Sequence, residues 1–173
     1  YTTNASENTE ATSILGLIKT NWKTLVTGLW NTIVLTVVAL IFASLIGIIF
    51  GLMKTSQNNI VQAIAGFYID IIRGVPLIVL TFFIYFGIPQ AFDITMQPFV
   101  AGVITLSLNA SAYIAEIIRG GIQAVDKGQY EACMSLGLPY SKSMQKVILP
   151  QAIRIMVPSF INQFVITLKD TSI

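Results

Sequence analysis

Thr24–Met53, TLVTGLWNTIVLTVVALIFASLIGIIFGLM, is a run of thirty residues without a charge, bounded by Lys23 and Lys54. About 20 apolar residues carry a helix across the hydrocarbon core of a bilayer, and a charge at its centre costs several kcal/mol. The run therefore predicts a transmembrane helix. The rest of the chain has the same character: it is 54% hydrophobic and only 10% charged, where an ordinary soluble domain has roughly 25% charged residues. Nineteen uncharged residues separate Arg73 from Asp93 and twenty-two separate Asp93 from Glu116, which predicts two more spans. Ile155–Leu168 has only fourteen, and it crosses if Arg154 snorkels to an interface and the helix starts near Pro150. The fold class is all-α, a polytopic membrane helical bundle with four spans.

Ahead of the first span, residues 14–27 place Ile14, Leu15, Leu17, Ile18, Trp22 and Leu25 mostly on one helical face, with Lys19 and Lys23 within reach of headgroups. This pattern predicts an interfacial helix. Residues 1–13 are polar, carry Glu7 and Glu10, and lack the basic start and short apolar core of a secretory signal, so they read as an extracellular tail or linker. A chain that opens on Tyr1 and stops at Ile173, just past a charged, hydroxyl-rich stretch, reads as a piece of a longer one. In the first span Ala39, Ala43, Gly47 and Gly51 recur every four residues, a stripe that admits another helix at close range.

Charge placement gives orientation. Five basic residues fall between Arg119 and Arg154, whereas Pro89–Gln97 has none and contains Asp93. Basic flanks stay on the cytoplasmic side, so residues 120–150 are cytoplasmic. Counting back puts the N-terminus outside, against the weaker pull of Lys19 and Lys23. The net charge of +2 points to no nucleic-acid partner. A single cysteine, Cys133, and the absence of histidine argue against an internal disulfide, a metal site and triad catalysis.

The cytoplasmic segment is too polar to span. Gln123–Ser135 and Ser141–Leu149 both favour helix, and Gly137-Leu138-Pro139 separates them with a sharp turn. Leu136, Leu138 and Tyr140 at that corner offer apolar area to the cytosol, either as a docking surface or as an amphipathic loop resting on the membrane.

Glu131-Ala132-Cys133, then Gly137, then Val147-Ile148-Leu149-Pro150 resembles the EAA motif of bacterial ABC importer permeases, with Cys133 and Val147 in place of the usual Ala and Ile. Asp70-Ile71-Ile72-Arg73-Gly74-Val75-Pro76-Leu77, Phe82–Pro89, Ala112–Gly121 and Leu168-Lys169-Asp170-Thr171-Ser172 narrow the resemblance to polar amino acid permeases of the histidine and glutamine uptake type. The resemblance covers nearly everything from about Trp30 onward. It implies a core of five helices over residues 28–173 and beyond, with the fifth after Ile173. It also implies a multi-pass place in the bacterial plasma membrane and coupling helices around Glu131, Ala132, Cys133, Gly137, Leu138 and Pro150 that seat in an ATPase subunit. The partners it implies are that ATPase, which holds ATP and magnesium, a second permease copy or paralogue, and an extracellular binding protein or a binding domain fused ahead of the chain. No cofactor is expected in the chain itself.

Polar groups at membrane depth are the remaining candidates. Asp70 and Arg73 are one helical turn apart, as are Glu116 and Arg119, and these read as an ion-pair network that packs helices together and doubles as a gate. Pro76 is expected to kink the second span, with Thr81 and Tyr85 on one face beyond it. Asn109 and Ser111, near Ser107, and Ser159, Asn162 and Gln163 on the fourth span are candidates for the substrate path. The resemblance gives that helix a large share of the substrate site. Between Arg154 and Lys169 the fourth span carries no charge, which fits glutamine or asparagine better than arginine or glutamate, because desolvated charge demands a partner. The same amides equally serve to tie helices together. Lys169 and Asp170 either cap the fourth span or line an outer gate.

No G-x-x-x-x-G-K-[ST] phosphate loop occurs, so the chain is read as a transport subunit rather than an enzyme. A gradient-driven secondary transporter, which would show repeated halves, and a non-transporting scaffold are the competing classes.

Overall fold

The computed structural model describes residues 14–172, with side chains from Asn21 onward; the expected tail, residues 1–13, lies outside the described residues. Every regular element among them is helical: α1 (Ile14–Lys54), α2 (Asn59–Gly74), α3 (Leu77–Phe82), α4 (Ile88–Phe92), α5 (Pro98–Gln123), α6 (Lys127–Ser135), α7 (Tyr140–Ser143) and α8 (Leu149–Asp170). The chain divides into two units, residues 1–34 and 35–173. In the first, Trp22, Leu25, Leu29 and Trp30 are all more than half exposed, the condition of side chains that face lipid. The expected interfacial segment, residues 14–27, is not a separate helix: α1 runs through it unbroken and on to Lys54. No proline interrupts the run at Thr27-Gly28.

Within the second unit α5 is the central helix, with thirteen buried residues. The small-residue stripe of α1 lies against it. Ala39 and Ala43 are wholly buried. A Cβ on Gly47 would come within 2.6 Å of Ile114, and one on Gly51 within 2.9 Å of Ile118. Ser107 Oγ donates to the Ala39 carbonyl at 3.2 Å, a bond available only because the two backbones approach so closely. On its other flank α5 meets α8 through a core that includes Ile114, Ile118, Ile148, Ala152 and Met156.

Asn21–Lys54 and Pro98–Gln123 are each long and apolar enough to cross a membrane, and Asn59–Gly74 with Leu77–Phe92 makes a third crossing if the bent pair is one span. The fourth expected span is α8, whose 22 residues rise about 33 Å. It is more polar than the others, because Gln151, Arg154, Ser159, Asn162, Gln163 and Thr167 interrupt its apolar residues.

Pro76 does more than kink a span. The chain turns by 99° between α2 and α3, and Val75 between them is extended, with φ −93° and ψ 125°. Proline's ring excludes the helical region for the residue before it, so α2 ends and Pro76 opens a new helix as its N-cap. Two other prolines are absorbed differently. Phe83–Gly87 and Met144–Ile148 are π-helical turns. Each lies just ahead of a proline, Pro89 and Pro150, and each closes with an i→i−5 bond, from Ile88 to the Phe83 carbonyl and from Leu149 to the Met144 carbonyl. The widened turn relieves the clash that a proline ring makes with the carbonyl four residues back. The expected helix Ser141–Leu149 is thus α7 plus a π turn, running on into α8. The expected helix Gln123–Ser135 starts later, at Lys127, where Asp126 caps it by accepting from the Gly128 amide at 2.6 Å.

Candidate functional site

The corner between α6 and α7 is built by backbone geometry. Gly137 has φ +71°, the left-handed region that only glycine enters without strain. That conformation turns the Leu138 amide back onto the Cys133 carbonyl at 3.1 Å and the Gly137 amide onto Met134 at 2.9 Å, closing the end of α6. Glu131 and Ala132 are exposed while Cys133 is buried, so the short helix shows its first two motif residues to the outside and packs the third. Leu136, at 79% exposure, is the most prominent apolar side chain of the corner.

Two links tie this corner to the helices. Gln151 of α8 donates to Gln129 of α6 at 3.2 Å. Tyr140 stands edge-on to Tyr130 with ring centres 5.8 Å apart, and its hydroxyl reaches the Thr55 carbonyl in the α1–α2 turn at 3.5 Å. Burial pushes the Tyr140 phenol above its ordinary pKa, and Tyr130 adds to the shift.

The expected ion-pair network is present in a different wiring. Arg73 pairs with Glu116 at 3.6 Å across α2 and α5. Arg119 grips the same carboxylate, with its shortest bond 2.8 Å, and donates at 2.6 Å to Gln123. Tyr113 places its ring under the Arg73 guanidinium, 5.2 Å from the centroid. Asp70, expected to pair with Arg73, is exposed and has no ion-pair partner among the described residues. Lys169 is likewise exposed and unpaired among them.

Arg73 also lines a cavity of about 340 Å³ with Pro76, Asn109, Tyr113, Gln163 and Asp170. Gln163 is 4% exposed and donates to Thr167 at 3.3 Å. Ser159 and Asn162 are exposed instead. Ser111 does not line this cavity: it donates to the Leu108 carbonyl at 2.7 Å and takes a 2.6 Å bond from Tyr68, which joins α2 to α5. A larger cavity of about 710 Å³ opens beside the corner, lined by Lys54, Gln62, Gln123, Lys127, Glu131 and Tyr140. Among the described residues no group of three His, Cys, Asp or Glu is placed to hold a metal. Nothing in the sequence marks Tyr140 for its contact with Thr55, whereas Tyr113 carries a signal, since it lies one turn before Glu116.

The family of binding-protein-dependent transport system inner membrane components matches residues 43–173. The arginine transport system permease protein ArtQ of Bacillus subtilis is 41% identical over 146 residues, covering 84% of this chain and 67% of its own. A putative glutamine transport system permease protein, GlnP of Rickettsia felis, is 40% identical over 149 residues, covering 86% and 68%. Among solved structures, an amino acid ABC transporter crystallised with histidines superposes with a TM-score of 0.87 at 41% identity, over 92% of this chain and 74% of that one. The chain belongs to this family of inner-membrane transport components. Within it, the chain is a permease subunit of the amino acid ABC importer class, a multi-pass transport subunit that works with separate ATPase subunits and a second permease.

Proposed function

We propose that the chain forms part of the membrane path of an importer for an uncharged polar amino acid, glutamine or asparagine in kind, which opens its substrate site alternately to the two sides. The observation that carries this is the charge balance of the cavity between α2, α5 and α8: one guanidinium (Arg73), one carboxylate (Asp170), a phenol (Tyr113) and two amides (Asn109, Gln163). These two opposite charges complement the carboxylate and ammonium common to every amino acid. What remains for the substrate's side chain is neutral and hydrogen-bonding. A further charge on the substrate would be desolvated without a partner. Relatives named for arginine and for glutamine are about equally similar, at 41% and 40% identity, so the choice rests on this balance.

In this reading Ser159 and Asn162 continue the path along the exposed side of α8 towards a second permease copy. The chain Arg73–Glu116–Arg119–Gln123 is the inner gate, running from the substrate cavity to the cavity beside the corner. The corner of residues 120–150 seats in the ATPase, which holds ATP and magnesium. Substrate arrives from an extracellular binding protein or fused domain on the side of the N-terminus, with residues 14–27 at the interface.

Uptake by the whole importer in proteoliposomes, with each common amino acid as competitor, tests the substrate. Glutamine and asparagine are expected to compete best, and Gln163→Ala and Asn162→Ala to change the order. Preference for a charged amino acid, or unaltered selectivity in both variants, contradicts the reading. Uptake driven by an ion gradient without ATP contradicts the energy source.

A further inference from the structure

A third cavity, of about 260 Å³, adjoins Asp170 and is lined among others by Leu77, Thr81, Tyr85, Thr105, Asp170 and Thr171. It shares Leu77 and Asp170 with the cavity that holds Arg73 and Gln163. Thr105 on α5 is 1% exposed, and its hydroxyl is the one buried side-chain polar atom among the described residues that has no hydrogen-bond partner. A buried hydroxyl left unpaired is costly, and such groups are normally satisfied by water or a ligand.

The neighbouring groups specify what kind of ligand. Thr81 gives its hydroxyl hydrogen to the Leu77 carbonyl at 2.9 Å, and Thr171 gives its own to the Leu168 carbonyl at 2.7 Å. Both therefore offer only lone pairs to a guest. Asp170 is the last residue of α8, at the negative end of the helix dipole. No basic residue lines the cavity. A pocket of acceptors around a carboxylate suits a small cation that donates hydrogen bonds.

We propose that this cavity is an outer subsite for the substrate's ammonium group, occupied before the amino acid passes Asp170 into the inner cavity. The proposal rests on the importer function proposed for the chain and extends it. Thr105 and Tyr85 orient the ammonium, and Asp170 stays with it while the carboxylate moves on to Arg73. An inorganic monovalent cation donates no hydrogen bond but is coordinated by the same oxygen lone pairs, and the test separates the two.

The whole importer in proteoliposomes is assayed for amino acid uptake with Thr105→Val, Thr105→Ser and Tyr85→Phe, alongside thermal melting of each purified complex. Uptake at limiting substrate is expected to fall roughly 10- to 100-fold in Thr105→Val, the loss of one hydrogen bond to a charged group, and to return in Thr105→Ser. Tyr85→Phe is expected to lower it as well and serves if Thr105→Val does not fold. Wild-type uptake in both Thr105→Val and Tyr85→Phe, with melting unchanged or raised, overturns the subsite. A loss that vanishes when sodium and potassium are replaced by choline assigns the site to an inorganic cation and overturns the ammonium. A wild-type importer that moves no amino acid defeats the parent reading, a result distinct from failure of the variants.

Discussion

Arg73 and Glu116 stand on different helices with their charged atoms 3.6 Å apart, and Glu116 is held at the same time by Arg119 at 2.8 Å. One carboxylate therefore joins Arg73, which lines the cavity shared with Asn109 and Gln163, to the end of α5 that leads into the corner. Removing it leaves two guanidiniums facing each other, which like-charge repulsion drives apart. Glu116→Gln is expected to reduce uptake at least tenfold while ATP hydrolysis by the complex continues, the signature of a broken link between them. The double exchange Arg73→Glu with Glu116→Arg is expected to recover part of the uptake, measured against each single variant.

Gly137 sits at φ +71° with open space where a Cβ would stand, so the cost of a side chain there is conformational and not steric crowding. Gly137→Ala is expected to destabilise the corner by about 1 kcal/mol and to weaken retention of the ATPase during purification. Gly137→Asn, which tolerates the left-handed region better, is expected to lose less in the same assay.

Gly47 is the opposite case, because a Cβ there meets both Ile114 at 2.6 Å and the Ser111 carbonyl at 2.9 Å. Gly47→Ala is expected to cost about 1–3 kcal/mol as overpacking, and Gly47→Leu more. Thermal unfolding of the detergent-purified chain measures it. Gly28, with nothing within 4 Å, provides the control: Gly28→Ala is expected to melt no lower than the wild type, since Ala favours the helix over Gly.

Ser111 and Tyr68 share a 2.6 Å bond between α2 and α5. Ser111→Ala and Tyr68→Phe are each expected to lower stability by about 0.6–1.7 kcal/mol, the range for hydrogen bonds between membrane helices. In a double-mutant cycle the two losses are expected to fall short of additive. The selectivity of uptake is expected not to change, which separates a tie between helices from a substrate contact.

The first and third spans and the corner were legible because their signals are local. Lys23 and Lys54 bracket the first crossing, and Gly-Leu-Pro at residues 137–139 spells the turn whichever helices surround it. Pro76 was legible as a disruption but not as a 99° corner, because the angle depends on Val75 being extended and on what α3 then packs against. The π turns ahead of Pro89 and Pro150 escaped a reading that counts in fixed helical periods. Asp70 and Arg73 look like partners in sequence because they are neighbours along one helix; the partner Arg73 takes, Glu116, is set by how α2 lies on α5, which no spacing within α2 records. Thr105 looks in sequence like any hydroxyl on an apolar helix, and only the packing around it leaves its oxygen unpaired.

We propose that the bent corner around Gly137 transmits force from the ATPase; Leu136 is its most exposed apolar side chain. Leu136→Asp in the whole importer, followed by co-purification of the ATPase and by ATP-driven amino acid uptake, tests this most directly. Loss of both is expected, in a chain that still inserts in the membrane and melts as the wild type does; an ATPase that stays bound with undiminished uptake would rule out force transmission through this corner.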